Sequence, residues 1–155
     1  MNLCPDTNVA IDLIREQKPH LRQRMAEASE VGWGLHLSPI VLHELVLGAT
    51  LSARPRHQMA LVERFCAALL PHDWSNDDAM ESARMRAELS NAGMSIGVMD
   101  NLIAGQARNR GWTVITANIR EFARIEGLQI VDWSDPAGPI DLTGAMARLR
   151  RPSKD

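Results

Sequence analysis

Along the chain, short apolar stretches alternate with longer segments whose apolar positions return every three or four residues. This is the pattern of strands and helices in a parallel α/β sheet. Five strands are predicted, at Met1 to Cys4, Trp33 to Leu37, Leu70 to Trp74, Trp112 to Thr116 and Leu128 to Val131. The fourth is the clearest, being aromatic and β-branched. Helices are predicted over Asn8 to Arg15 and Leu21 to Glu30, then from Ser38 and Pro39 to about Leu51. A serine oxygen caps orphan amides and proline suits the first helical position, so Ser38 and Pro39 make a strong start. Pro55 breaks that helix, and another runs from Gln58 to Leu69. Ser75, with Asp77 and Asp78 in the first turn, opens a helix to about Asn91, where Gly93 supplies the stop. From Pro136 the pattern dissolves into polar, Pro/Gly-rich sequence and ends in a weakly amphipathic basic piece, Met146 to Lys154. With no internal repeat, the expectation is one α/β domain over residues 1–135 and a C-terminal tail over 136–155.

Four carboxylates stand out against this pattern. Asp6 in DTNVAIDLI, Glu44 in SPIVLHELVLGA, Asp100 in IGVMDNLIAGQA and Glu121 in ITANIREF each sit among apolar or small residues. A carboxylate in such surroundings is costly unless it is paired, hydrogen-bonded or bound to metal. If the fold gathers all four, their repulsion calls for a divalent cation, so the pattern points to an acidic pocket for Mg²⁺ or Mn²⁺. Asp6 and Glu121 also follow predicted strands, at the carboxyl ends where parallel sheets bind ligands.

Each position has a plainer explanation. Asp6 could simply be the N-cap of the helix near Asn8, a role compatible with metal binding. Glu44 lies in a helix so apolar that burial on most sides is expected, with a thin polar stripe to solvent as the alternative. Asp100 is expected to open a helix carrying Ala104, Gly105 and Ala107, small residues that would let it approach a neighbouring backbone and hold the carboxylate against the sheet. A pure N-cap is the alternative there. Glu121 could pair on the surface with Arg120 or Arg124, and Asn118 could cap the short helix that follows it. Asp12 is expected at an exposed helical position. His43 beside Glu44 does not make a zinc helix, because the second histidine would be needed at position 47, which is Leu47.

Composition narrows the class. A chain of 155 residues that is 45% hydrophobic is sufficient for one packed core. A net charge of -2 argues against coating nucleic acid through bulk charge, but leaves room for a local basic patch. Cys4 and Cys66 form no metal-like pair and are too few for a disulfide framework, which points to the cytosol. No apolar run reaches the roughly 18–20 residues of a membrane span, and the first residues lack the layout of a signal peptide.

Taken together, DTNVAIDLI, SPIVLHELVLGA, RAELSNAGMSIGVMDNLIAGQA and TVITANIREFARIEGLQIVDWS resemble the PIN-domain ribonucleases, and more closely the VapC-type toxins of bacterial toxin–antitoxin pairs. The resemblance implies a PIN-like domain, a central parallel β-sheet of five strands flanked by helices, with an acidic site at its carboxyl edge. It assigns Asp6, Glu44 and Asp100 as the acids that hold metal, Glu121 as a more variable fourth, and Asn8, Thr116 and Asn118 as supporting polar positions. It implies Mg²⁺ or Mn²⁺ as cofactor, polarising a phosphodiester oxygen and lowering the pKa of a water. It also implies hydrolysis of RNA, with tRNA as the expected substrate, leaving 5′-phosphate and 3′-hydroxyl ends. The implied partners are a second copy in a homodimer and a VapB-type antitoxin that inserts a peptide into the active-site groove.

Two departures from the family pattern stand out. Pro5 replaces an apolar strand residue and is expected to end the first strand just before Asp6, since proline cannot donate to a ladder. Met99 precedes Asp100 where relatives often carry an aromatic. RNA must reach an acidic pocket, so Arg84, Arg86, Arg108, Arg110, Arg120 and Arg124 are expected near its rim, with Arg148, Arg150 and Arg151 in the tail. Two rival readings stay open. DTNV also resembles the opening motif of haloacid-dehalogenase-like phosphotransferases, but that chemistry needs a second aspartate where this chain has Asn8, and a lysine partner where only Lys18 and Lys154 exist. The other rival is a non-catalytic PIN-like RNA-binding or interaction module, against which stand four filled acidic positions.

Overall fold

In the computed structural model, which describes residues 1–134 and 136, five parallel strands form one sheet in the order β3-β2-β1-β4-β5. They are β1 (Asn2–Pro5), β2 (Gly34–Leu37), β3 (Leu70–Pro71), β4 (Thr113–Ile115) and β5 (Gln129–Val131). The helices are α1 (Thr7–Arg15), α2 (Pro19–Glu30), α3 (Pro39–Thr50), α4 (Pro55–Cys66), α5 (Asn76–Asn91), α6 (Val98–Arg110) and α7 (Ile119–Phe122). The expected third strand shrinks to two residues. The tail after Pro136, with Arg148, Arg150 and Arg151, lies outside the described residues. From the central β1 the chain winds to β2 and β3 on one side, and later to β4 and β5 on the other, so the strand order reverses between β1 and β4. The crevice beyond the carboxyl ends at such a reversal is where open α/β sheets bind ligands.

Both faces of the sheet are covered, and successive strand residues feed different cores. Cys4, Val114 and Ile130 pack with Met85, Leu89, Ala104 and Phe122, whereas Leu3, Ile115 and Val131 pack with Val9, Leu13, Leu21 and Trp133. A third cluster joins α1, α3 and α4 through Ala10, Val41, Leu45, Ala49 and Val62. The expectation that α3 is buried on most sides is not met. Only the stripe Val41, Leu45 and Ala49 is buried, while Leu42, Val46 and Leu47 are exposed. That four-residue spacing lines one face alone, so the remaining apolar side chains of α3 point outward.

Proline shapes two boundaries, one of them differently from the sequence expectation. Pro55 not only follows α3 but opens α4 at its first position, ahead of the expected Gln58, where a missing N–H costs nothing. Pro5 is the last residue of β1, which ends just before Asp6 as expected. It pairs with Ile115, and the next N–H, that of Asp6, donates to the Ile115 carbonyl at 2.9 Å. Successive N–H groups of a strand point to opposite edges, so the missing donor of Pro5 faces β2, where pairing has already stopped at Leu3 and Leu35. After α5, Gly93 takes a left-handed φ of 66°, the stop expected of it.

Beside the first residues of β1 and β4, a chain of hydrogen bonds closes the β2–β3 edge. Arg110 donates to Asp78 at 2.6 Å, to the Asp73 carbonyl at 2.7 Å and to His72 Nδ1 at 3.1 Å. A guanidinium only donates, so His72 must accept at Nδ1. Its Nε2–H then donates to His36 Nδ1 at 2.7 Å, and His36 Nε2–H donates to Asn2 Oδ1 at 3.0 Å. The His36 ring stacks on Trp112 with centroids 4.7 Å apart. Burial first, then its neighbours His72 and Arg110, holds His36 below the ordinary histidine value. Burial and then Arg110 do the same to His72, against the opposing pull of Asp73 and Asp78.

Helix α6 lies against α5 by direct backbone approach. A Cβ added to Gly105 would stand 2.6 Å from the Cα of Ser82 and 2.9 Å from its nitrogen. Asn101 reinforces the contact, donating from Nδ2 to the Ser82 carbonyl at 3.2 Å and to its Oγ at 2.9 Å. The small residues of α6 thus divide their work: Ala104 and Ala107 face the sheet as expected, and Gly105 meets α5 instead. Gly105→Ala is therefore expected to destabilise the protein by about 2–3 kcal/mol, a fall in melting temperature of roughly 5–10 °C. Gly48→Ala, with open space around the new methyl, is expected to stabilise it by about 0.5–1 kcal/mol. Thermal denaturation followed by circular dichroism compares the two, and a Gly105→Ala protein as stable as wild type would show that the helices are not in contact there.

Candidate active site

The site grows from the ends of the two central strands. Asp6 follows β1 directly and caps α1, accepting the Val9 N–H at 2.7 Å. Its buried carboxylate also accepts the Thr116 hydroxyl and the Asn8 backbone amide. Thr116 follows β4, and its Oγ1 accepts the Asn118 N–H at 2.9 Å, which commits the hydroxyl proton to Asp6. Burial pushes the Asp6 carboxyl above the ordinary aspartate value, and the donors from Thr116, Val9 and Asn8 pull it back. The capping role and the site role of Asp6 therefore coincide.

The other three carboxylates come from three different helices. Glu44 is half-buried on α3, and Thr7 donates its hydroxyl to Glu44 Oε2. Asp100 does not open its helix as expected. Gly97 occupies the N-cap and α6 begins at Val98, so Asp100 sits inside the first turn with its side chain free of capping duty. Glu121 lies in the single turn of α7. The Asp100 carboxyl is pushed up to about 6, by burial first and then by the charges of Asp6, Glu121 and Glu44. The other three expected carboxylates thus all act on Asp100 at the crevice between β1 and β4.

The supporting positions divide. Thr116 contributes its side chain, whereas Asn8 is exposed and contributes only its backbone amide. Asn118 stands at the N-cap position of α7 without a side-chain cap bond, and serves through its amide to Thr116. Thr7 is the residue that the sequence reading missed. Its signal was its place, next to Asp6 at the first position of α1, but a threonine there reads as an ordinary helix start. Asp12 is half-buried rather than exposed, and pairs with Lys18 at 2.6 Å. Three of the expected rim arginines have acidic partners: Arg110 pairs with Asp78, Arg108 with Glu81 at 2.6 Å and Glu88 at 2.9 Å, and Arg84 with Glu81 at 3.6 Å.

The donor set suits a hard cation. It offers carboxylate and hydroxyl oxygens with neither sulfur nor imidazole, the preference of Mg²⁺ and Mn²⁺. The raised Asp100 carboxyl marks negative charge that a cation would relieve. Among the described residues, no three His, Cys, Asp or Glu side chains are drawn tightly enough to hold an ion by themselves.

Without metal, the repulsion has a measurable sign. An acid whose folded value is raised contributes stability fully below its unfolded value of 3.8, and loses it as the pH rises through about 6. At pH near 7.5 and in chelator, Asp100→Asn is expected to be more stable than wild type by about 1 kcal/mol after allowance for solvent screening. That is roughly 2–4 °C in melting temperature, and the gain should fade as the pH is lowered toward 4. Equal melting temperatures at the higher pH would mean that Asp100 is not repelled.

Comparison with known proteins agrees with this geometry. Residues 3–128 match the PIN domain family model. The tRNA(fMet)-specific endonuclease VapC of Salmonella typhimurium is 38% identical over 128 residues, 83% of this chain and 95% of that protein. The protein of the same description from Shigella flexneri is 35% identical over 130 residues, covering 83% and 96%. Among solved structures, VapBC2 from Rickettsia felis bound to a DNA fragment from its promoter superposes with a TM-score of 0.83 at 28% identity, over 86% of this chain and all 100% of that one. DNA-bound VapBC from Salmonella typhimurium gives a TM-score of 0.80 at 37% identity, over 86% and 98%. With the sheet order, the acidic crevice and these relatives in agreement, the chain belongs to the PIN-domain family and, within it, to the VapC ribonucleases.

Proposed function

We propose that this protein is a metal-dependent endoribonuclease, the toxin of a toxin–antitoxin pair, which hydrolyses phosphodiester bonds of RNA and takes tRNA as its substrate class. The observation that carries the reading is the Asp100 carboxyl, held up to about 6 by burial and by the three other acids at the reversal of the sheet. Asp6, Glu44 and Asp100 would hold Mg²⁺ or Mn²⁺, with Glu121 as the fourth, less constrained acid on its single helical turn. The cation, when bound, supplies Lewis acidity to the phosphodiester and favours hydroxide from water near neutral pH.

The chain's own groups fix the frame for that chemistry. Three donors hold Asp6 in place, so its charge needs little reorganisation when substrate arrives. RNA needs cations at the rim, and among the described residues Arg86 and Arg120 have no acidic partner, unlike Arg108 and Arg110. Arg86 lines a cavity with Val98 and Asn101, which share the first turn of α6 with Asp100. Arg86 is thus placed to meet phosphate.

The partners follow from relatives and surface together. A VapB-type antitoxin is the expected inhibitor, since the similar solved structures are VapBC complexes. A second copy of the chain would cover the exposed apolar side chains of Leu42 and Val46 on α3, Met80 on α5, and Val98 and Met99 on α6. No described helix is long and apolar enough to cross a membrane, and a cytoplasmic location suits an RNA substrate.

Purified protein is expected to cut a tRNA pool at discrete sites with Mg²⁺ or Mn²⁺ and to stop in EDTA. Asp100→Asn should cut at least about 100-fold more slowly while remaining folded. Equal cutting in EDTA would remove the metal from the mechanism, and a folded wild type that never cuts would leave a binding module. Light scattering should give wild type twice the 17.2 kDa chain mass, reduced toward one chain by Val46→Asp. A monomeric wild type would rule out this dimer.

A further inference from the structure

We infer that Thr7 is a positioning residue for Glu44, and that its hydroxyl sets the affinity of the site for its divalent cation; this rests on the metal-dependent reading above. The four acids are not held alike. Asp6 has a hydroxyl and two backbone amides on its carboxylate. Glu44 has one hydrogen-bond partner among the described residues, the Thr7 hydroxyl on its Oε2. A glutamate has three free side-chain torsions, and this one is half-buried at the edge of α3 facing the charge of Asp100. Like-charge repulsion drives such a side chain toward water, and a single donor opposes it.

The donor is placed by the most constrained part of the site. Thr7 is the first residue of α1, between Asp6, which caps that helix, and Asn8, whose amide also binds the Asp6 carboxylate. The Asp6 backbone is in turn tied to β4 at 2.9 Å. Threonine is β-branched and stiff at its first torsion, so its oxygen inherits that order. A carboxylate only accepts, so the Thr7 proton is committed to Oε2, and the other oxygen of Glu44 is left for a cation. The bond thereby carries the geometry of the β1 end across to α3, which reaches the crevice from another part of the chain. Outer partners that orient a ligand in this way typically change metal affinity by about 10–100-fold when removed.

The test is Mn²⁺ binding by electron paramagnetic resonance with the full chain, comparing wild type, Thr7→Val and Thr7→Ser. Melting temperatures in chelator and steady-state RNA cleavage are measured alongside. Valine keeps the shape and removes the donor, so Thr7→Val is expected to bind Mn²⁺ about 10–100-fold more weakly. Its kcat should fall at saturating RNA with little change in KM, while its metal-free melting temperature stays near that of wild type. Serine keeps the donor, so Thr7→Ser should recover most of the affinity. A Thr7→Val protein that binds Mn²⁺ like wild type overturns the inference, as does equal weakening by valine and serine, which would assign the effect to packing. A wild type that binds no Mn²⁺ overturns the metal reading and this inference with it. Intact binding by wild type and Thr7→Val together overturns the role of Thr7 alone.

Discussion

The pairing of β1 with β4 is the constraint on which the rest of the crevice depends. Leu3, Cys4 and Pro5 lie against Thr113, Val114 and Ile115, and the Asp6 N–H adds the last rung to the Ile115 carbonyl. These strands belong to different halves of the chain, and their contact is where the winding of the sheet changes side. The first residues beyond the pair are Asp6 and Thr116, so their hydrogen bond is dictated by register. A one-residue slip would turn every side chain to the opposite face and separate them. Proline at position 5 is tolerated because the rung that matters comes from the following residue.

Charge in the crevice opposes folding, and packing outside it must compensate. Asp100 is held among like charges by a helix whose other side is fastened to α5, through the Gly105 approach to Ser82 and the bonds from Asn101. Asn101 is the immediate neighbour of Asp100, so the fastening and the repulsion act one residue apart. Acids clustered in this way require rigid support of this kind.

Much of this was legible in the sequence because it consisted of anomalies. A carboxylate inside IGVMDNLIAGQA has no ordinary reason to be there, and the strands were visible as short apolar runs between helical periods. What was hidden lacked contrast. Thr7 looks like any helix-opening threonine, and its partner is on another helix. The apolar face of α3 was read as core because hydrophobicity records the need for burial without saying whether the chain itself or another molecule supplies it. Arg108 and Arg110 looked no different from Arg86, since the acids that occupy them come from α5 and are brought near only by the packing of α5 on α6. Asp100 was read as a helix opener because glycine at the N-cap, with no side chain, leaves no signal of its own.

The histidine relay beside β2 and β3 gives these electrostatics a counterweight. In the chain from Arg110 through His72 and His36 to Asn2, each ring nitrogen already has one assigned role, and a proton added to either ring would set two donors against each other. Histidines held below their ordinary value contribute stability that is full above about 6.5 and is lost as the pH falls. The acidic crevice has the opposite slope, gaining from each proton it takes up. Acid therefore tightens the acidic crevice and loosens the histidine relay, and the pH at which the metal-free molecule is most robust is the balance point of the two titrations.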